Sequence, residues 1–584
     1  MDRIINYKIW DIRLYLSVIV LIQLLLSFQG FDVCDEGFSL TFYQQFFNAP
    51  ESVEYVFVYW FSGFFGGIWY QLFPEGGILW FRLLAVICNT ASFFIAYKLL
   101  SPYLQKPTIL MGLTMALFVN NYGYLLFYHN QLSILFILVA FYFLLRGLER
   151  KRLWFLFLSG CVLGAGVFVR IPNLFMLLVV LAIPLYHVLN GGVIKDGLKQ
   201  FVISLGGIIS GVAIVAALLF GLGQFNIMMD ALSSLVQLGE TADSGHSFST
   251  LVRYYFNDLK KVASVIGYVA ILSGAWLFLS GLSKKTAQFY QWLQFIILVV
   301  LFFLLFKGTD IYAVYALISI GLIGTLFLRQ AFVGRHVVVF LALCMLYFMP
   351  LGSGGAIHSA GTMGVWLGLP LMVDTFYHLL QKPIKGNLRL GELNIDWSSI
   401  KLSYVIWALV SGFFLYKVIA ISHEAYFDKG NRFQKTASIQ SQFAKGIVTT
   451  DFRADIINDL LFHLKEYVQP NDYLLAYDNI PMIHVFTETK PYMYNPWVWI
   501  YDSANFKNKL EKAEREIAEK PVVVQQKFNT IGAFGDPVTD YMKENQPNSM
   551  RYNALRTKEM NDFLERNHYE IAWSNDYFVI YRPK

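Results

Sequence analysis

Three acidic side chains follow the first long apolar run of the sequence at a spacing that could support catalysis. Asp32, Asp35 and Glu36 come directly after that run, which ends near Phe28. A carboxylate beside an apolar membrane surface loses hydration, so its pKa tends to rise unless a cation or hydrogen bonds offset the burial. Such a group suits a general base that takes a proton from a hydroxyl or an amine. The same acids could instead hold Mg²⁺ or Mn²⁺, or simply solvate the start of a loop.

Basic side chains at the ends of later apolar runs offer a complementary chemistry. Arg82 begins the second run, Arg170 directly precedes a turn proline, and Lys307 flanks a Gly-Thr turn opposite Asp310. Guanidinium groups bind phosphate through paired hydrogen bonds, and charges at membrane depth usually face a cavity or a partner. Arg82, Arg170 and Lys307 are therefore candidate phosphate ligands. The alternatives are that the arginines snorkel to lipid headgroups and that Lys307 pairs with Asp310.

Other segments are weaker candidates for binding. Backbone N–H groups of the glycine-rich turn 352–358 could form an anion nest, although a plain tight turn has the same composition. His246 lies in a polar loop, where exposure alone explains it. The run 474–482 reads as a strand leading into a turn, a common place for ligand contacts. The aromatic stretch 489–499 could stack on sugars or pack against the rest of the chain.

The elements that must position these residues are mostly membrane helices. The chain of 584 residues is 56% apolar and only 15% charged, whereas soluble proteins carry about 25% charged residues. Apolar runs of about 18 to 25 residues are long enough to cross a bilayer, and helices are the expected form. We count thirteen candidate spans, with approximate limits 13–30, 77–99, 108–127, 130–146, 153–170, 173–190, 200–222, 262–282, 289–306, 310–328, 336–351, 360–380 and 401–419.

The loops between these spans alternate in charge. With a cytoplasmic N-terminus, the inner segments hold nineteen Lys and Arg residues and the outer segments hold seven. This bias predicts an N-terminus inside and a C-terminus outside. The net charge of +6 comes from basic residues at span ends, so nucleic acid is not an expected partner. The four cysteines show neither a disulfide framework nor zinc-ligand spacing.

Two domains are expected from the change in composition. Residues 1–421 form the transmembrane domain, whose first outer loop, 31–76, has an apolar stretch suited to interfacial helices anchored by Trp60 and Trp69. Residues 422–584 hold twenty basic and twenty-two acidic residues and predict a soluble α/β domain. Its expected helices lie at 454–467 and 504–519, and its strands at 473–476, 522–525, 569–573 and 577–581, the last two forming a hairpin.

Several short motifs resemble those of a known superfamily. Phe31-Asp32-Val33-Cys34-Asp35-Glu36-Gly37-Phe38 resembles the first-loop signature of the GT-C membrane glycosyltransferases, which include protein O-mannosyltransferases and the lipid A aminoarabinose transferase. Phe81-Arg82-Leu83-Leu84 and Arg170-Ile171-Pro172-Asn173 resemble further motifs of bacterial, family-39-like relatives. One departure is that family 39 usually has a His-Pro-Pro element where this chain reads Val58-Tyr59-Trp60-Phe61-Ser62-Gly63.

The resemblance implies residue roles. By position, Asp35 matches the Asp that acts at the acceptor, Glu36 matches the Glu that often follows it, and Asp32 is an additional helper. The donor would be a polyprenyl-phosphate-linked sugar whose phosphate is held by Arg82, Arg170 or Lys307. Metal dependence differs among branches, so Asp32, Asp35 and Glu36 stay candidate ligands for Mg²⁺ or Mn²⁺.

The resemblance also implies a fold, a place and partners. It implies an α-helical polytopic membrane protein of GT-C type, with about thirteen transmembrane helices and a C-terminal α/β extracytoplasmic domain. The acceptor would be a lipid, a glycan or a protein, reached among membrane lipids. Similarity to bacterial relatives favours a bacterial inner (plasma) membrane.

Two other functions fit part of the pattern. An oligosaccharide ligase or polymerase would use a lipid-pyrophosphate donor, but it needs cations for two phosphates and usually has a large late loop between spans. A non-enzymatic lipid or sugar transporter predicts charged or broken helices near mid-membrane and related halves. The sequence shows neither feature.

Overall fold

A computed structural model describes most of the chain. It covers residues 11–119, 125–237, 248–282, 288–305, 310–326, 333–379, 387–390, 393–396, 403–425, 427–528, 530, 534 and 554–584. His246 and Lys307 lie outside these residues.

Helices account for nearly all of the structure before residue 424. They are α1 (Ile12–Leu26), α2 (Asp35–Gln45), α3 (Trp60–Leu72), α4 (Gly77–Leu100), α5 (Lys106–Phe118), α6 (His129–Arg150), α7 (Leu153–Gly166), α8 (Ala182–Leu189), α9 (Ile194–Gly221), α10 (Phe225–Gln237), α11 (Phe248–Leu282), α12 (Gln288–Leu305), α13 (Ile311–Thr325), α14 (Val333–Phe348), α15 (Ala356–Ala360), α16 (Val365–Leu379) and α17 (Ser403–His423). Longer 3₁₀ segments lie at Pro50–Tyr59 and Ile171–Leu181, and β1 (Asn387–Leu390) pairs with β2 (Leu393–Asp396).

The predicted membrane spans coincide with these helices. Within the described ranges, five helical stretches are long and apolar enough to cross a bilayer, a bent pair makes a sixth, and seven shorter apolar helices accompany them. Each of the thirteen predicted spans falls on one of these elements. The prediction of a polytopic helical membrane protein is therefore confirmed.

One predicted span is broken. The segments Ala356–Met363 and Val365–His378 meet at an angle of 76°, whereas the sequence analysis finds no broken helix. Glycines at 361 and 364 weaken the helix at the break, and Pro370 lies inside α16. The hydroxyl of Tyr315 donates to the carbonyl of Gly361 at 2.8 Å. Irregular backbone is tolerated at membrane depth where protein groups satisfy it in this way.

Helices α7 and α9 pack through glycines on both partners. Gly160 and Gly164 in α7 face Gly207 and Gly211 in α9, each four residues apart. A Cβ added to Gly160 would lie 2.1 Å from the Ser204 carbonyl oxygen, and one added to Gly207 would meet the Phe157 carbonyl at the same distance. Small residues at this spacing let membrane helices approach closely.

Loop 31–76 differs from the expected interfacial arrangement. Trp60 is 0% exposed, and its Nε1 donates to Gln224 Oε1 at 2.9 Å, so it packs inside the protein instead of anchoring a surface helix. Trp69 stacks on Trp80 with ring centroids 4.1 Å apart. Each of these two indole N–H groups donates to the other residue's carbonyl, at 2.9 and 2.8 Å.

The C-terminal region is built on a five-stranded mixed sheet. Its predicted helices, strands and final hairpin are confirmed. Short strands come first: β3 (Glu424–Ala425), β4 (Asp428–Lys429), β5 (Ala437–Ser438) and β6 (Val448–Thr449). The others are β7 (Tyr473–Tyr477), β8 (Lys490–Pro491), β9 (Val522–Gln526), β10 (Tyr569–Ser574) and β11 (Phe578–Pro583), with helices α18 (Asp451–Leu464), α19 (Met482–Thr487), α20 (Ser503–Glu516) and α21 (Ala554–Arg566). The strand order in the five-stranded sheet is β10-β11-β9-β7-β8.

This C-terminal region packs directly on loop 31–76 and the residues just before it. The N–H of Gly30 donates to Val448 O, and the N–H of Val448 donates to Phe28 O, both at 2.9 Å. Apolar side chains of the loop and of the sheet form one continuous buried cluster, separate from the cluster inside the membrane helices. The loop that carries the candidate acids is therefore held by both parts of the chain.

Candidate active site

A cavity of about 1200 Å³ lies where loop 31–76, the membrane helices and the C-terminal region meet. Asp35 comes from the first loop, Arg170 from the turn after α7, Lys417 from α17 and Trp497 from the C-terminal region. The candidate base and one candidate phosphate ligand thus share one space, although they are far apart in the sequence.

Asp35 is positioned by its neighbour Asp32. Asp35 begins helix α2 and is half-buried, whereas Asp32 is 1% exposed. Asp32 accepts hydrogen bonds from the backbone N–H groups of Cys34 at 3.0 Å and Glu36 at 2.9 Å. These bonds satisfy N–H groups at the helix start and fix the backbone around Asp35. Burial, and then the nearby Asp35, raises the pKa of Asp32 well above its ordinary value.

Glu36 and Arg82 form a buried bidentate ion pair. Nε of Arg82 donates to Glu36 Oε1 at 2.8 Å, and Nη2 donates to Oε2 at 2.9 Å. The guanidinium also donates to the carbonyls of Ser27 at 2.8 Å, Gly30 at 2.9 Å and Gln29 at 3.4 Å. All five N–H groups of Arg82 are therefore directed at acceptors within the protein.

Arg82, Glu36 and Asp32 have contacts of their own, apart from the cavity that Asp35 and Arg170 line. None of the three lines the cavity, and Arg82 has no N–H group left to offer a phosphate. The Arg82–Glu36 pair instead stabilises the segment between α1 and α2, and Asp32 accepts hydrogen bonds from backbone N–H groups at the start of α2. Of the three candidate acids, Asp35 is the one that reaches the cavity.

Breaking the Arg82–Glu36 pair should destabilise the protein without a specific loss of donor binding. Glu36→Gln leaves a buried guanidinium without its counter-charge, which costs about 3–5 kcal/mol. Unfolding in detergent, followed by intrinsic fluorescence, measures this loss. Arg146→Gln is the control, because the Arg146–Glu149 pair (3.1 Å) is partly exposed and contributes little. If Glu36→Gln instead weakened donor binding at unchanged stability, the pair would belong to the substrate site.

Arg170 is placed differently, since it lines the cavity. Its Nη1 donates to the Met349 carbonyl at 3.1 Å and contacts Met363 Sδ at 3.5 Å. Its Nη2 donates to Ser353 Oγ, in the glycine-rich turn 352–358. These contacts fix the guanidinium, while its Nε has no acceptor among the residues that the structure describes. Arg170 therefore keeps donor capacity for a ligand.

An aromatic patch of Tyr59, Tyr128 and His129 lies close to both Asp35 and Arg170. The rings of Tyr59 and His129 stack with centroids 4.0 Å apart. Burial raises the pKa of Tyr59, Arg170 opposes that rise, and Asp35 adds to it. Burial is the main cause that raises the pKa of Tyr128 to about 12. Asp35 also raises this pKa, and Arg170 lowers it. Both tyrosines are thus within electrostatic range of the carboxylate and the guanidinium.

Residues 58–220 match a family model described as dolichyl-phosphate-mannose-protein mannosyltransferase. This match, which covers 163 of the 584 residues, indicates a membrane glycosyltransferase of the GT-C type. The matched segment includes the aromatic patch and Arg170, and it begins at the stretch that lacks the His-Pro-Pro element.

Comparisons with individual proteins add little to this GT-C assignment. A crystal structure of ArnT from Cupriavidus metallidurans bound to undecaprenyl phosphate matches at 10% identity and a TM-score of 0.43, covering 98% of this chain and 97% of that one. Similarity at this level supports no residue correspondence. No curated protein matches the chain.

A cation that the sequence analysis did not single out also lines the cavity of this GT-C enzyme. Lys417 is 2% exposed, and its Nζ donates to the Val119 carbonyl at 2.8 Å. The rings of Phe413 and Tyr416 lie 5.6 and 6.0 Å from the ammonium. A lysine inside an apolar run is itself a signal for a functional site. Lys307 lies outside the described residues, but its neighbour Asp310 lines the cavity.

The three acids of the first loop do not form a shared ligand set for a metal. Asp32 bonds to backbone N–H groups, and Glu36 bonds to Arg82. Across the parts of the chain that the structure covers, no group of three or more His, Cys, Asp or Glu side chains is placed to hold a metal ion. Use of Mg²⁺ or Mn²⁺ stays a prediction, and of the three acids Asp35 is the one that lines the cavity.

Proposed function

We propose that this GT-C enzyme is an inverting glycosyltransferase that moves a sugar from a polyprenyl-phosphate carrier to an acceptor outside the cytoplasm. The observation that carries the proposal is that Asp35 and Arg170 line one cavity. The reaction needs a base at the acceptor and an anion-binding group at the leaving phosphate. The family model that matches residues 58–220 is named for a lipid-phosphate donor, which supports the choice of carrier.

Asp35 acts as the base in this proposal. An acceptor O–H or N–H attacks the anomeric carbon, and its proton passes to the Asp35 carboxylate as the new bond forms. The bond between the anomeric carbon and the phosphate oxygen breaks, and its electron pair stays on the lipid phosphate. Attack from the face opposite the leaving group inverts the configuration, so a single base suffices.

Arg170 holds the leaving phosphate in this proposal. Its fixed guanidinium can meet a phosphate with paired hydrogen bonds, and Lys417 adds a second positive charge in the same cavity. Because both cations are buried, their interaction with the growing negative charge is weakly screened by water.

The membrane orientation and domain division are part of the same proposal. The excess of Lys and Arg in the inner loops supports a cytoplasmic N-terminus and an outer C-terminal domain, 422–584, beside a transmembrane domain, 1–421. A donor in the outer leaflet, a lipid, glycan or protein acceptor, and a bacterial inner membrane fit this arrangement.

Purified enzyme in liposomes tests the proposal. With a panel of undecaprenyl-phosphate sugars, the wild type should release undecaprenyl phosphate, slowly by hydrolysis without acceptor and faster with one. Mass spectrometry of the lipid detects this product. Consumption of a lipid-pyrophosphate donor alone would indicate a ligase or polymerase. Movement of intact donor across the bilayer, with no bond cleavage, would indicate a transporter, and either result would contradict the proposal.

A further inference from the structure

The turn after strand β7, in the C-terminal region, forms hydrogen bonds with the loop that carries Asp35. The N–H of Met482 donates to the Val33 carbonyl at 3.0 Å, and Thr41 Oγ1 donates to the Pro481 carbonyl at 3.2 Å. These contacts lie on both sides of Asp35 in the sequence. The turn belongs to the run 474–482, a candidate ligand-contact segment in the sequence that the proposed function does not use.

Asn479 lies at the centre of this contact and is 4% exposed. Its Oδ1 accepts from the Cys34 thiol at 2.7 Å and from Trp497 Nε1. Its backbone is fixed as well, because its N–H donates to Gln526 Oε1 at 3.1 Å and its carbonyl accepts from Thr530 Oγ1 at 3.0 Å. A rigid acceptor thus joins a residue next to Asp35 with a residue of the cavity wall.

The Cys34 thiol has one proton and two acceptors within reach. Its Sγ lies 2.7 Å from Asn479 Oδ1 and 3.5 Å from Asp35 Oδ1. Since one S–H serves one acceptor well, the shorter contact takes the proton. The thiol proton is then not directed at the Asp35 oxygen that, in the proposed reaction, takes the proton of the sugar acceptor. Without Asn479, the same thiol would turn to the carboxylate beside it.

We propose that Asn479 is a positioning residue for sugar transfer. Through its hydrogen bonds to the Cys34 thiol and the Trp497 indole N–H, it fixes the position of Asp35 relative to Trp497 in the cavity wall. The inference rests on the proposed function and extends it. The C-terminal domain completes the active site from the outer side, and its turn at 478–482 is the part that does so.

Asn479→Ala should lower kcat with little change in KM. We expect kcat to fall about 10- to 100-fold, because a shift of about 1 Å at a reacting group costs on this order. The KM for the undecaprenyl-phosphate sugar should stay within about twofold, since Arg170 is untouched. Tyr477→Phe is the matched control: it removes a buried hydroxyl from the same strand end, which lies 3.2 Å from Thr557 Oγ1 and also bonds to Arg556, while the Arg556–Asp478 pair stays in place. Its kcat should stay within about twofold of the wild type.

Hydrogen exchange provides a readout that does not need catalysis. In Asn479→Ala, amides of 33–37 should exchange at least about tenfold faster, while those of α18 stay unchanged. Unchanged exchange at 33–37, wild-type kcat in Asn479→Ala, or an equal loss in Tyr477→Phe would each overturn the inference. A wild-type enzyme that cleaves no donor would instead overturn the proposed function, and the exchange data would still decide whether Asn479 holds the loop.

Discussion

Asp35→Asn should abolish sugar transfer while donor affinity stays within about twofold of the wild type. The amide keeps the size of the carboxyl group but cannot take up the acceptor's proton. Loss of a general base typically lowers the rate about 10²- to 10⁴-fold. Initial rates of undecaprenyl phosphate release in liposomes, with acceptor present, measure the effect.

The control for this substitution is a second acid in the same cavity. Asp310 lines the cavity and accepts from the Tyr312 N–H at 3.0 Å as the cap of α13. Asp310→Asn keeps this cap, because asparagine is an equally good cap residue, and its rate should stay within a few-fold of wild type. Full activity in Asp35→Asn would show that another group takes the proton.

Arg170→Ala should weaken donor binding more than any other cavity substitution. A hydrogen bond to a charged group contributes about 1.5–3 kcal/mol, so loss of the guanidinium should raise the Kd for undecaprenyl phosphate about 10- to 100-fold. Arg170→Lys should recover only part of the affinity, because an ammonium cannot form the planar paired contact. Titration of the purified enzyme with undecaprenyl phosphate measures both Kd values.

Arg253→Ala separates phosphate binding from snorkelling. Arg253 is an exposed arginine on the side predicted to be outer, and its removal should leave the Kd unchanged. An unchanged Kd in Arg170→Ala, or an equal loss in Arg253→Ala, would show that Arg170 is not a specific phosphate ligand.

The helices and strands could be predicted from sequence because their signals are local. Hydropathy over about 20 residues is enough to find each membrane span. Turn residues between two β-rich runs are enough to find the hairpin of β10 and β11. The break at Gly361 has no such local signal, because glycines are also common in unbroken membrane helices and the supporting hydroxyl of Tyr315 comes from another helix.

The candidate site is harder to predict, because a single sequence does not show which distant residues contact each other in the fold. Asp35 and Arg170 reach one cavity, and their chemical roles stay predictions. Arg82 looked equally suitable from its place at a span end, but its pairing with Glu36 depends on how α1, α2 and α4 pack. The same holds for Asn479, whose contact with Cys34 joins residues 445 positions apart in the sequence.

A structure of the enzyme with undecaprenyl phosphate bound tests the central claim most directly. The phosphate should lie in the cavity, with an oxygen about 3 Å from an Arg170 nitrogen and with the Asp35 carboxylate facing the same space. A phosphate bound outside this cavity, or an Asp35 carboxylate that no acceptor could reach from the phosphate side, would contradict the account.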